Sequence, residues 1–231
     1  MITLFLTYEL KVAVLIATFY IFWRLLTAKE TWHRLNRIVL LSTAVASFVL
    51  PLCVITIHQT VEVDPLPMEA IDETMLPETT AMQPEVAFSP STVTPKQEQH
   101  FDWQLLLAVI YIIGVAVVLS KMLLSVWRLH KMALESEIHP LSDGRQIAIN
   151  EEAKTPFSWL KTVFLNHKDY EEGTTALLTH ELGHIRLHHS ADVLLVELLT
   201  ALQWFNPTMW MLRADLRTIH EYEADQQVLS H

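Results

Sequence analysis

Two histidines and a glutamate in the run His180-Glu181-Leu182-Gly183-His184 have the spacing of a metal-dependent hydrolytic site. On a helix, residues four positions apart share one face, so both imidazoles can reach the same metal ion. Glu181 is rotated by roughly 100° and can hold a metal-bound water at the edge of that face. Bound zinc lowers the pKa of such a water toward about 7, and the carboxylate can take its proton during attack on a peptide carbonyl.

This HExxH motif is short, and the twelve histidines of the chain raise the odds of a chance match, so a third ligand is the next test. We predict that the motif helix continues to about Trp204. On a straight helix His188 would lie about 12 Å along the axis from His180, too far to share one ion. The same geometry excludes Asp192 and Glu197.

A carboxylate from a returning helix can complete the site. Residues 204–207, Trp-Phe-Asn-Pro, predict a chain reversal, and a second helical stretch follows it. That stretch contains Glu221 and Asp225, which share a face at i, i+4. One of them can ligate the metal while the other orients a ligating histidine. Glu223 points to a different face and is the less favoured ligand.

The group that would stabilise an oxyanion is left open by the sequence. Arg217 and Tyr222 are candidates, and so are the adjacent His188 and His189. For the two histidines, the simpler expectation is that they are solvated side chains near a helix end.

The composition of the chain indicates a membrane protein. Hydrophobic residues make up 51% and charged residues 18%, with a mean hydropathy of +0.27. A globular domain carries about 25% charged residues. The net charge of −10 disfavours direct nucleic-acid binding. One cysteine, Cys53, excludes an intramolecular disulfide and a cysteine-based zinc cluster. The high share of hydrophobic residues and the low share of charged residues make membrane lipid a predicted partner.

Three apolar stretches before residue 130 predict membrane-spanning helices. The second, residues 38–57, has no formal charge and is long enough for a hydrocarbon core of about 30 Å. The third begins at residues 103–120. The first must include residues 2–8 and therefore Glu9 and Lys11. Two interpretations of these charges stay open, which are snorkelling to the interface and a packing contact inside a helix bundle.

Charge asymmetry predicts the orientation. The connection at residues 24–37 has four basic side chains and one acid, whereas residues 58–101 have eight acids, one lysine and six prolines. By the positive-inside rule the N-terminus and the acidic segment are extracytoplasmic, and the chain from about residue 128 is cytoplasmic. The acidic, proline-rich segment is predicted to be extended or disordered, because its composition cannot bury a core.

The C-terminal part predicts a mixed α and β domain. We expect a helical continuation at residues 127–138, strands at 145–150 and 157–166, and a helix from about Thr175. The apolar stretch 193–211 predicts an antiparallel helical hairpin at the inner membrane interface, packed on the spans. The predicted organisation is two spans in 1–57 with a basic loop at about 24–37, an external loop at 58–101, a third span at 102–127 and a peptidase domain at 128–231.

Taken together, these features resemble the BlaR/MecR-type antirepressors, β-lactam sensor-transducers that are membrane zinc metallopeptidases. The resemblance covers nearly the whole chain. It rests on the HExxH helix, the turn at 204–207, and the Glu-x-x-x-Asp of Glu221 and Asp225. The run Thr-Pro-Phe-Ser-Trp at 155–159 is also similar to the family's segment ahead of the motif. The fold implied is predominantly α, with three transmembrane helices and a cytoplasmic α+β gluzincin-like domain that has a small sheet.

The resemblance also implies roles for particular residues. It implies a Zn²⁺ cofactor with three protein ligands, namely His180, His184 and Glu221. It implies Glu181 as the general base and Asp225 as a residue that orients a ligand. In related gluzincins an edge strand pairs with the substrate, and the corresponding candidates here are Phe157, Ser158 and Trp159.

The implied function is that of a zinc metalloendopeptidase in the bacterial inner membrane, acting in a signal-transducing antirepressor system that regulates antibiotic resistance. Its substrate would be a cytoplasmic transcriptional repressor, the protein itself, or both, and it could form a homodimer. A fourth span and an external sensor region would follow the peptidase, beyond His231. Two alternatives stay open: a membrane quality-control or prenyl-protein peptidase, and a non-proteolytic signalling scaffold with a structural zinc. Three spans ahead of the motif favour the antirepressor type.

Overall fold

The computed structural model describes residues 2–27, 31–53, 102–173 and 175–230, so the acidic segment predicted at 58–101 lies outside the described residues. Within these ranges the fold is predominantly helical with one small sheet, as predicted. The elements in chain order are α1 (Ile2–Leu26), α2 (His33–Val49), α3 (Trp103–Glu135), β1 (Glu137–Pro140), β2 (Gln146–Ile149), β3 (Phe157–Trp159), β4 (Thr162–Leu165), α4 (His167–Glu172), α5 (Thr175–Arg186), α6 (His189–Leu202) and α7 (Pro207–Leu229).

Three of these helices are long and apolar enough to cross a membrane, and they coincide with the three stretches predicted as spans. Their limits are Ile2–Leu26, His33–Leu52 and Trp103–Glu135. The second begins five residues before the predicted start and closes in a 3-10 turn that contains Pro51, a residue without a backbone N–H. The third buries none of its residues, which suits a helix whose apolar side chains face lipid.

The two helices that follow the HExxH helix share one hydrophobic core with the first two spans. The buried side chains of this core come from α1, α2, α6 and α7, and they are Val12, Ile16, Tyr20, Trp23, Leu40, Ala44, Val196, Leu199, Met209, Leu212, Leu216 and Ile219. The predicted helical hairpin at 193–211 is therefore present and packs on the spans.

The turn between α6 and α7 ties this hairpin to the first span. Asn206 caps α7 by accepting a hydrogen bond from the backbone N–H of Thr208, and Pro207 occupies the first helical turn, where its missing N–H costs nothing. The Gln203 amide donates to the Glu9 carboxylate at 2.6 Å, and both side chains are buried. Glu9 therefore makes the packing contact inside a bundle and does not snorkel.

Contacts of the turn also show where the hairpin lies along the spans. The Asn206 amide donates to the backbone carbonyl of Ala13 at 3.4 Å, and the Tyr111 hydroxyl donates to that of Leu202 at 2.9 Å. Ala13 is in the first half of α1, and Tyr111 is near the start of α3. The hairpin lies alongside the spans, whereas the sequence predicted it at one membrane interface only.

The sheet has strand order β1-β2-β4-β3, with β2 and β4 parallel and the two outer pairs antiparallel. Two predicted elements are wrong in detail. The helix expected at 127–138 ends at Glu135, because the following residues pair with β2 as a new strand. The single strand expected at 157–166 is a hairpin, since Leu160 at φ 53° reverses the chain. Tertiary pairing decides both cases, and local propensity does not show it.

One face of the sheet packs against the motif helix α5 and fixes the position of that helix. Ile147, Ile149, Val163 and Leu165 form a cluster with Ile185 of α5. The small sheet thus supports the helix that carries HExxH.

Gly114 provides a test of the contact between α3 and the hairpin. A Cβ atom at this position would overlap the indole ring of Trp204, so we expect Gly114→Ala to lower stability by about 1–3 kcal/mol through overpacking. Thermal unfolding of the detergent-solubilised protein measures this effect. Ala116→Val on the exposed side of the same helix is the control and should leave the melting temperature unchanged. Equal melting temperatures for Gly114→Ala and the wild type would contradict the packing described here.

Candidate metal centre

Helix α5 positions the three motif residues and then ends abruptly. His180, Glu181 and His184 lie on it, and it stops at Arg186. His188 adopts a left-handed conformation at φ 59°, and α6 begins with the next residue. The continuous helix predicted to reach Trp204 is therefore wrong. A left-handed residue cannot continue a right-handed helix, so the chain changes direction there.

Because the motif helix ends at Arg186, distance along a straight helix does not exclude Asp192 and Glu197 as ligands. Their ion pairs exclude them instead. Asp192 pairs with Arg37, and Glu197 pairs with Arg213 and Arg217. Neither acid joins the two motif histidines.

Helix α7 brings a carboxylate to the two histidines. The Nε2 atoms of His180 and His184 are 3.2 Å apart, and Glu221 Oε2 lies 3.4 Å from the first and 3.8 Å from the second. These three residues form a group whose donor atoms can hold a metal ion. The structure thus brings together the three residues that were predicted as ligands.

The donor chemistry and spacing fit a tetrahedral metal ion. Ligand atoms at about 2.0–2.1 Å from zinc are about 3.3 Å from one another in tetrahedral geometry. The separations of 3.2, 3.4 and 3.8 Å are close to this value. Two imidazole nitrogens and one carboxylate oxygen are a known catalytic zinc set that leaves the fourth position open.

The far ring nitrogens of both histidines are also held. His180 Nδ1 lies 3.0 Å from Asp225 Oδ1, the contact predicted for the second acid of the Glu-x-x-x-Asp. His184 Nδ1 lies 2.7 Å from His189 Nδ1. Such contacts orient a metal-ligating ring and fix its tautomer.

His189 was missed by the sequence analysis, which expected a solvated side chain. It is only 3% exposed and also contacts Glu223 Oε2 at 3.0 Å. Its position relative to Val196 and Leu199, seven and ten residues later, places it on the buried face of α6. That periodicity could have identified it. His188, by contrast, is exposed as expected.

The neighbourhood of His184 keeps its imidazole neutral. Burial lowers the pKa of His184 to about 3, and the nearby His189, His180 and His220 act in the same direction. A neutral ring is the form that can offer a nitrogen lone pair to a metal.

Glu181 lies beside the three converging side chains and is 6% exposed. Burial raises the pKa of its carboxyl, while a hydrogen bond with the Ser158 side chain opposes the rise. Both residues line a cavity of about 550 Å³, which also takes in His180, His184 and Glu221. A carboxyl with a raised pKa in such a cavity is suited to proton transfer.

The strand predicted to bind substrate borders the same cavity. β3 forms the edge of the sheet, and its residues Phe157, Ser158 and Trp159 all line the cavity wall. Arg217 lines it as well, while its guanidinium pairs with Glu197. Tyr222 is instead exposed and packs on the ring of His33, so Arg217 is the better placed of these two oxyanion candidates.

Helices long and apolar enough to span a membrane, and a His-His-Glu group beside a buried glutamate, are the features expected of a membrane metallopeptidase. The chain belongs to the BlaR1 peptidase M56 family, whose model matches residues 4–231. This confirms the resemblance predicted from the motif helix and the downstream acidic pair. No individual curated protein matches the sequence.

Replacing the carboxylate supplied by α7 tests the group directly. We expect Glu221→Gln to weaken zinc binding by more than the roughly 10–100-fold typical of residues that only orient ligands, because it removes a charged donor. Chelator competition on the purified protein measures the affinity. Glu171→Gln, at an exposed position on α4, is the matched control and should bind zinc like the wild type. Unchanged zinc affinity in Glu221→Gln would show that this carboxylate is not a ligand.

Proposed function

We propose that this protein is an integral zinc metallopeptidase of the bacterial inner membrane. The observation that supports it is the convergence of His180, His184 and Glu221 beside the buried carboxyl of Glu181. In this proposal the three converging side chains hold zinc, and Asp225 orients His180 in the manner of gluzincins. Membership of the peptidase family gives independent support.

When bound, zinc acts as a Lewis acid that polarises a carbonyl and lowers the pKa of water toward about 7. Glu181 takes the proton from the attacking water and later delivers it to the leaving amine nitrogen, so that the peptide becomes a carboxylate and an amine. Burial of Glu181 favours the first step, because a carboxylate with a raised pKa is a stronger base toward the attacking water. Arg217 is the candidate to stabilise the oxyanion from the cavity wall.

The substrate in this proposal is an extended polypeptide segment that pairs with β3. An edge strand offers unpaired backbone groups, and Phe157, Ser158 and Trp159 place that edge along the cavity that holds Glu181. Backbone pairing would bring a peptide carbonyl to the three converging side chains with little demand on its sequence.

The biological substrate is proposed from the family resemblance. It would be a transcriptional repressor, the protein itself, or both, so that cleavage relieves repression in an antirepressor system. A homodimer stays a prediction, and self-cleavage between two copies would require such an encounter.

Contacts with the spans support a cytoplasmic active site. Arg24, near the end of α1, pairs with Asp215 of α7 at 2.8 Å. Arg37, in the second turn of α2, donates to the backbone carbonyl of Leu187, directly after the motif helix. Helix α7 and the residue that follows α5 thus contact α1 and α2 at the ends of these two spans that flank the basic connection. By the positive-inside rule we assign this end to the cytoplasm.

A Glu181→Gln variant separates catalysis from metal binding. It keeps a polar side chain of the same size but cannot accept the proton, so we expect cleavage to fall by about 10²–10⁴-fold while zinc content is unchanged. Cleavage of casein and of the protein itself, followed by mass spectrometry, measures the activity. Glu171→Gln again serves as the control and should cleave at the wild-type rate.

Other outcomes of this experiment would change the proposal. Wild-type cleavage rates in Glu181→Gln would show that the mechanism is wrong. If derepression of a reporter gene persists in cells while cleavage stops, the protein acts as a signalling scaffold and its metal is structural.

A further inference from the structure

Beneath the three converging side chains lies a cluster of five ionisable side chains that catalysis as proposed does not use. Its members come from α2, α6 and α7, and they are Arg37, His189, Asp192, His220 and Glu223. His189, His220 and Glu223 are each less than 5% exposed. Burying so many ionisable groups is costly unless each is paired, so their arrangement calls for a physical explanation.

Arg37 is the centre of the cluster. Its Nε lies 2.6 Å from Asp192 Oδ2 on α6, and its Nη1 lies 3.2 Å from Glu223 Oε2 on α7. Its Nη2 donates to the carbonyl of Leu187 at 2.6 Å, at the turn after the motif helix. One guanidinium from a membrane-spanning helix thus joins three separate segments of the peptidase.

His189 connects this cluster to His184. Its Nε2 lies 3.0 Å from Glu223 Oε2, and its Nδ1 lies 2.7 Å from His184 Nδ1. In the neutral form of His189, Nε2–H donates to the ionised Glu223 carboxylate, which can only accept, and Nδ1 is left as an acceptor. His184 must then donate from Nδ1, which leaves its Nε2 lone pair directed at His180 and Glu221.

The ring of His189 is further fixed by His220. The two rings stack with their centroids 4.0 Å apart and their planes 10° apart. His220 Nε2 lies 3.1 Å from Asp192 Oδ2, so Arg37 and His220 share the same carboxylate. The orientation of His189 therefore depends on both carboxylates that Arg37 pairs.

We propose that Arg37, Glu223 and His189 are positioning residues that set the ring orientation and tautomer of His184 for metal binding, and that they couple the metal centre to the second membrane-spanning helix. The proposal rests on the zinc site of the proposed function. It makes metal affinity depend on Arg37, whose charged atoms do not touch the ligands. A displacement of α2 that withdraws Arg37 would leave Glu223 and Asp192 without their cation and would loosen His184.

The test is metal binding by the full chain in detergent or nanodiscs. Zinc affinity is measured by chelator competition, and the visible spectrum of the Co²⁺-substituted protein reports ligand geometry. We expect His189→Leu and Arg37→Met each to weaken zinc binding by about 10–100-fold and to change the Co²⁺ spectrum. His189→Asn keeps an acceptor near the Nδ1 position and should restore most of the affinity.

Asp215→Asn is the matched control. It breaks a different ion pair between a span and α7, that of Arg24 with Asp215, and the Asp215 carboxylate contacts Arg24 and Tyr20 of α1. We expect it to lower the melting temperature without changing zinc affinity or the Co²⁺ spectrum. If a leucine or methionine variant does not fold, Arg37→Lys carries the test, and it should lose affinity because one amine cannot replace the guanidinium fork.

The outcomes separate this inference from the proposed function. A wild-type protein that binds no zinc would overturn both. Wild-type zinc affinity and an unchanged Co²⁺ spectrum in the folded His189→Leu variant and in the folded Arg37→Met or Arg37→Lys variant would overturn the inference alone. Equal losses in Asp215→Asn would also overturn it, because a general loosening of the bundle would then explain the effect.

Discussion

The close packing of α5 against α7 is the constraint on which the rest of the structure depends. A Cβ atom at Gly183 of α5 would lie 3.4 Å from the side chain of Gln227 and 3.6 Å from the Cα of Ala224, so small residues let the two helices approach closely. Glu221 is one turn before Ala224 and therefore faces the two histidines of α5. The asparagine cap, the proline and the shared core with the spans hold α7 in this position.

The packing of these helices covers acidic side chains of α6 and α7, and a cation from α2 neutralises them. Glu223 on α7 is buried and Asp192 on α6 is largely covered, and both need a paired cation because isolated buried charges are unfavourable. Arg37 of α2 supplies that cation. A contact between Gln203 and Glu9 joins the other end of the hairpin to α1. The first two span-length helices are consequently part of the frame of the candidate metal centre.

The sequence predicted correctly those features of the fold and site that the spacing of nearby residues determines. The i, i+4 spacings placed His180 near His184 and put Glu221 on a usable face, and apolar length predicted the three spans. What was missed depends on tertiary contacts. The strand after α3 and the reversal at Leu160 arise from pairing between strands, and the left-handed conformation of His188 ends the motif helix. The burial of His189 could have been read from its spacing with Val196 and Leu199, but its contact with His184 depends on the break at His188.

Zinc K-edge X-ray absorption on the purified wild-type chain tests the central claim most directly. A site formed by His180, His184 and Glu221 predicts one zinc per chain, four nitrogen or oxygen neighbours at about 2.0–2.1 Å, and outer-shell scattering from two imidazole rings. Stoichiometric zinc with this pattern, reduced to one ring by His184→Ala, is the expected result. Absence of stoichiometric zinc, or a spectrum that lacks two imidazole rings, would contradict the account.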